Sequence, residues 1–133
     1  MSGKRYLLDT HCLIWFQENN PKTPKQVLNI IQEPENIILF SQISLFEISI
    51  KQKIGKLHSQ ITTQEMYHQG IKDGFTFVDI RNQHIYKYDH IPFMEHHRDP
   101  FDRLLIATAM VEDAIILSND SNFKLYHSIK VLW

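Results

Sequence analysis

Lys4-Arg5-Tyr6-Leu7-Leu8-Asp9-Thr10 is a short apolar run that ends abruptly on a carboxylate beside a hydroxyl. A run this short, without polar alternation, suits a central strand, buried on both faces of a parallel sheet, rather than a helix. Asp9 falls where that strand leaves the core, and ligands of open α/β sheets bind just beyond the carboxyl ends of the strands. The plainer reading of a single such Asp is an N-cap for the helix starting near His11.

Outward from this strand, the pattern predicts a helix over 10–18, stopped by Asn19-Asn20-Pro21, and another from Thr23-Pro24 to Pro34. Residues 36–41 read as a second buried strand. Ser44-Leu45-Phe46-Glu47 is expected to open the next helix, which Gly55 ends. A helix over 62–72 leads to a strand over 75–80, a short helix over 82–88 and a His-rich loop over 90–98. The helix over 100–113 is apolar from Leu104 to Val111 and should be deeply buried. A strand over 115–118, a helical turn over 121–125 and a strand over 129–133 complete the order. Strands alternating with helices predict one α/β domain over 1–133, with a central five-stranded parallel sheet flanked by helices in three layers.

Composition agrees with this. The 133 residues make one domain, and 43% hydrophobic with 22% charged residues is ordinary globular usage. No apolar run approaches membrane-spanning length and no signal-peptide pattern is evident, so the expectation is a cytoplasmic protein without a membrane partner. Cys12 has no second cysteine with which to form a disulfide or a zinc motif, and reads as a small core residue. A formal net charge of −1 argues against a protein that coats nucleic acid by general electrostatics, but not against a nuclease whose acids surround a cation.

Mapped onto the expected elements, the acids acquire a pattern. Asp9 follows the first strand, Glu47 lies early in the helix after the second, and Asp120 follows the fourth. Asp102 sits in the first turn of the buried helix. If the strands are parallel, three of these acids converge on one edge, and a helix N-terminus brings Asp102 to the same place. Each acid also has a structural reading: Ser44-x-x-Glu47 is a capping-box pattern, and Asp99-Pro100-x-Asp102 supplies an N-cap, a first-turn Pro and an acid matched to the helix dipole. Gathered carboxylates repel one another unless a cation or proton intervenes, and oxygen donors suit Mg²⁺ or Mn²⁺. Asp79, at the end of the third strand, is set aside because that strand is expected at the sheet edge, and Asp99 reads as a cap.

The segments Leu7-Leu8-Asp9-Thr10-His11, Ser44-Leu45-Phe46-Glu47-Ile48, His97-Arg98-Asp99-Pro100-Phe101-Asp102-Arg103-Leu104-Leu105-Ile106-Ala107 and Leu117-Ser118-Asn119-Asp120 with Phe123 resemble the motifs of PIN-domain proteins, particularly VapC-type toxins. The resemblance implies a Mg²⁺-dependent endoribonuclease of a type II toxin–antitoxin pair, with Asp9, Glu47, Asp102 and Asp120 as its acids. In this reading Asp9 and Asp102 contact the metal, while Glu47 and Asp120 do so directly or through water. The metal holds the scissile phosphate and acidifies a water that attacks phosphorus in line. Expected partners are RNA, a cognate antitoxin docked as an amphipathic helix and a second copy of the chain. An apolar strip of Trp15, Phe16, Phe46, Ile50 and Leu57 is expected at those interfaces.

Other residues carry weaker signals. Thr10, Ser44, Ser118, Arg98 and Arg103 are candidates for substrate binding by their proximity to the acids, with helix capping an equal explanation of the hydroxyls. Lys51 could simply pair with Glu47 one helical turn away. His90, His96 and His97 lie in a Pro-containing loop that suits zinc poorly, and Trp15 and Trp133 read as packing. A haloacid-dehalogenase-like phosphatase needs a second Asp two residues after the first, where this chain has His11. The remaining alternative is a non-catalytic PIN-like domain that binds RNA or protein.

Overall fold

A computed structural model describes residues 3–58 and 61–133. Strand β1 (Arg5–Leu8) is followed by helices α1 (Thr10–Gln17) and α2 (Lys25–Gln32), β2 (Ile37–Ser41), α3 (Gln42–Lys53) and α4 (Thr63–Lys72). Then come β3 (Thr76–Val78), α5 (Asn82–Tyr88), α6 (Pro100–Glu112), β4 (Ile115–Leu117), a 3-10 turn (Ser121–Leu125) and β5 (Val131–Leu132). The sheet order is β3-β2-β1-β4-β5 and every pairing is parallel. β1 is therefore central and β3 lies at an edge, as the patterning predicts.

The two-residue period of a strand explains the three layers. Tyr6, Leu8, Ile38, Phe40 and Leu117 point to one core, shared with Leu13 of α1, Val27 of α2 and Met66 of α4. Leu7, Leu39 and Ile116 point to the other, against Leu105, Ile106 and Ala109 of α6. Burial on both sheet faces is why these strands read as continuous apolar runs. Cys12 is wholly buried, and burial pushes its thiol far above the usual range, as befits an inert core residue. Among the described residues no helix is long and apolar enough to cross a membrane.

The elements agree with the expected order, with one local correction that bears on the site. α3 begins at Gln42, directly after β2, because Ser41 both ends the strand and caps the helix by accepting the Ile43 N–H at 3.0 Å. The pattern Ser44-x-x-Glu47 is therefore not a capping box, and both residues lie further along the helix, facing inward. A capping box pairs Thr62 with Glu65 at the start of α4.

Glu112 at the end of α6 is bonded by Arg5, Arg81 and the buried His84, and Arg5 Nε also donates to the Glu112 carbonyl at 2.7 Å. This cluster ties β1, α5 and α6 together.

Gly70 of α4 gives a test of the first core. A Cβ there would lie 2.7 Å from Phe40 Cζ, and that ring is held by Tyr67, Phe75 and Phe77. Gly70→Ala gains about 1 kcal/mol of helix propensity but overpacks a ring that has nowhere to turn. We expect a net loss of about 1–2 kcal/mol, read from the urea midpoint. A midpoint equal to or above that of the parent would mean the ring yields.

Candidate active site

Asp9 leaves β1 as the N-cap of α1: its Oδ1 accepts the Cys12 N–H at 2.7 Å, and Ser118 hydrogen-bonds the same carboxylate. Ser118 Oγ also accepts the Asp120 N–H at 2.9 Å, so one buried hydroxyl joins the ends of β1 and β4. Thr10 Oγ1 donates to Glu47 Oε1 at 2.6 Å and lies 3.0 Å from Ser44 Oγ, which joins α1 to α3. Thr10, Ser44 and Ser118 are thus enclosed among the acids and hydrogen-bonded to them or to each other.

The four acids form a string. Asp9 is close enough to Asp120 and Glu47 for both charges to act on it, and Asp102 feels Asp99 and Glu47. Burial, reinforced by these neighbours against the hydrogen bonds of Ser118 and Cys12, raises the Asp9 pKa to about 6. Burial also raises Asp102, and Asp99 and Glu47 add to it while His97 acts against it. Glu47, at the centre, is also bonded by Lys51 Nζ at 2.8 Å. Burial works against the Lys51 ammonium, but Glu47, Asp99 and Asp102 outweigh it and its pKa lies above the ordinary lysine value. Lys51 is thus a helical partner of Glu47 that also faces the string.

Several candidates fall elsewhere. Arg103 is a correction in place: it is buried, donating to the carbonyls of Pro92 and Ile91 and to Tyr126, with its guanidinium over Tyr88. Arg98 is exposed, donating to the Glu95 carbonyl and lying over Phe93. Asp99 caps α6 by accepting the Phe101 N–H at 2.9 Å, and Asp79 is exposed beyond the edge strand. The expected apolar strip does not exist as one surface, because Trp15, Phe16 and Leu57 pack on the core. Of these five, Phe46 is the strongly exposed one, edge-on to Phe101. Trp133 packs on Trp15.

Pattern reading missed His11 and Asn119 as neighbours of the acids and read Trp15 as a packing or interface residue. His11, Trp15 and Asn119 line a cavity of about 180 Å³ with Asp9 and Asp120. The sequence signal for His11 and Asn119 was only their adjacency to the acids. A cavity of about 650 Å³ at the opposite end of the sheet is lined by Lys4, Arg5, Lys87 and Lys130 with Asp113 as its one carboxylate, so size does not select the site. His97 is buried and bonded to Asp102, whereas His90 and His96 are exposed, so the three do not meet.

The donor chemistry fits a hard divalent cation. Asp9 and Asp102 are carboxylates held in surroundings that penalise their charge, the condition that a bound cation relieves. Among the described residues no three His, Cys, Asp or Glu side chains close on one point as a ready cage. Mg²⁺ does not require one, since it keeps several waters and takes one or two protein carboxylates with substrate phosphate.

A parallel α/β sheet with acids strung along its carboxyl edge belongs to the class of α/β proteins that work just beyond their strand ends. The family is more particular. The PIN domain model matches residues 6–127, and the chain belongs to the PIN domain family, whose members are generally nucleases. Its fold is similar to that of VapBC2 from Rickettsia felis bound to a promoter DNA fragment, at TM-score 0.69 and 17% identity over 96% of this chain and 97% of that one. VapBC from Salmonella typhimurium bound to DNA is similar at TM-score 0.66 and 16% identity over 97% of each chain. FitAcB from Neisseria gonorrhoeae gives 0.61 and 15% over 96% of each. No curated protein sequence matches the chain.

Proposed function

We propose that this protein is a Mg²⁺- or Mn²⁺-dependent endoribonuclease and the toxin of a type II toxin–antitoxin pair. The observation that carries the chemistry is the string Asp120, Asp9, Glu47 and Asp102 at the carboxyl edge of the sheet, two of whose members are raised by burial. Asp9 and Asp102 would hold the ion, with Glu47 and Asp120 ligating directly or ordering water. The bound ion supplies positive charge against the scissile phosphate and makes nearby water more acidic. Thr10, Ser44 and Ser118 hold the carboxylates in place, and Lys51 offsets part of the negative charge that RNA must approach. No side-chain nucleophile is required.

The toxin assignment is supported by the likeness of the fold to the VapBC and FitAcB structures. The test is incubation of purified protein with unstructured RNA and Mg²⁺. Shortened products are expected, whereas RNA retention without products would favour the non-catalytic alternative.

For partners, we expect a homodimer whose acidic groove is covered by a helix of the antitoxin. Exposed Phe46, beside Glu47 in sequence, is the apolar element that favours a contact at this edge. Light scattering should give twice the mass of one 15.8 kDa chain, and a single-chain mass at all concentrations would defeat the dimer. An adjacent small open reading frame, co-expressed, should co-purify with the protein and suppress its cleavage. A product that does neither is not its antitoxin.

A further inference from the structure

We propose that His97, set by Tyr126 and Arg103, is a positioning residue that fixes the orientation of Asp102 through a one-way hydrogen-bond relay. The inference rests on the reading of Asp102 as a metal-binding acid. Arg103 only donates: its Nη1 reaches the Pro92 carbonyl at 3.0 Å and Tyr126 Oη at 3.1 Å. Tyr126 Oη therefore accepts from Arg103, and its single proton is left for His97 Nδ1, 2.7 Å away. With Nδ1 accepting, the ring proton belongs on Nε2, which donates to Asp102 Oδ2 at 3.1 Å. His97 and Tyr126 are 4% and 3% exposed, so water offers no ready alternative partner to either. The ring of His97 also packs against those of Tyr126 and Phe123.

The consequence is directional. One Asp102 oxygen is tied to the buried His97, so the carboxylate cannot swing freely. Partners that orient a ligand in this way typically change metal affinity or activity by about 10–100-fold when removed.

The relay is tested without RNA. Long-range proton–nitrogen NMR of the metal-free protein should report His97 as the Nε2–H tautomer, and Tyr126→Phe, which keeps the ring but removes the hydroxyl, should lose that preference. Mn²⁺ titration followed by electron paramagnetic resonance should show affinity lowered about tenfold in His97→Ala and Tyr126→Phe. His97→Gln, whose amide nitrogen can stand in for Nε2, should recover most of it. An Nδ1–H tautomer, an imidazolium, or parental Mn²⁺ affinity in a folded Tyr126→Phe overturns the relay. A wild-type protein with the Nε2–H tautomer that binds no Mn²⁺ overturns the metal reading of the site instead, and with it the purpose assigned to the relay.

Discussion

Asp9→Asn is expected to lower RNA cleavage by on the order of a thousandfold, the several kcal/mol of charge stabilisation that a displaced catalytic ion represents. It should do so without unfolding the chain. Asn keeps an Oδ1 to accept the Cys12 N–H and nearly the same volume, so the cap of α1 survives. The metal-free variant should in fact be more stable than its parent at neutral pH. Burial lifts the Asp9 carboxyl from 3.8 to about 6, so the folded state holds this proton more tightly than the unfolded chain does. The resulting penalty is absent below about pH 4, grows as pH rises and is complete above about 6, where it amounts to on the order of 3 kcal/mol. Thermal unfolding in EDTA should therefore favour Asp9→Asn at pH 7 and show no advantage at pH 4. Loss of cleavage with a raised melting point separates a missing ligand from a damaged fold. Cleavage at the parental rate would remove Asp9 from the site.

Excess EDTA is expected to abolish cleavage, and added Mn²⁺ or Mg²⁺ to restore it. The residues gathered at the edge are chiefly carboxylates, with His11 and Lys51 beside them, and the proposed route draws its hydrolytic power from the ion these carboxylates would hold. The same metal dependence carries a pH signature. Protons compete with the ion for Asp9 and Asp102, both raised by burial, so at fixed Mn²⁺ cleavage should fall as pH drops through about 6. The fall should be roughly tenfold per pH unit for each proton displaced. Undiminished cleavage in excess EDTA would rule out the mechanism, and a flat profile between pH 5 and 8 would detach it from these two carboxylates.

The difference between Glu47 and Asp79 shows what a pattern can and cannot tell. Both follow strands, and the positional rule alone admits both. Glu47 faces inward because α3 starts at once after β2, bringing its second turn over the strand ends. Asp79 follows the edge strand β3 and stays exposed. Arg103 is a case in the other direction. Next to Asp102 in sequence, it leaves α6 on a different face and is buried against the Pro92 and Ile91 carbonyls and Tyr126, meeting Asp102 only through Tyr126 and His97.

By itself the sequence determined the order of strands and helices and the central place of β1, and it singled out the four acids as candidates. These follow from local periodicity, turn residues and the burial of both sheet faces, each expressed within a few neighbouring positions. Only the tertiary structure decided which polar groups serve the acids: Ser118 joining Asp9 to Asp120, Thr10 bound to Glu47, His97 behind Asp102. Those pairings depend on helix rotation and on the parallel register that sets β1 beside β4. Hydrogen bonds demand alignment within a few tenths of an ångström, and residues as distant in the chain as Asp9 and Ser118 come within reach only once the sheet has formed.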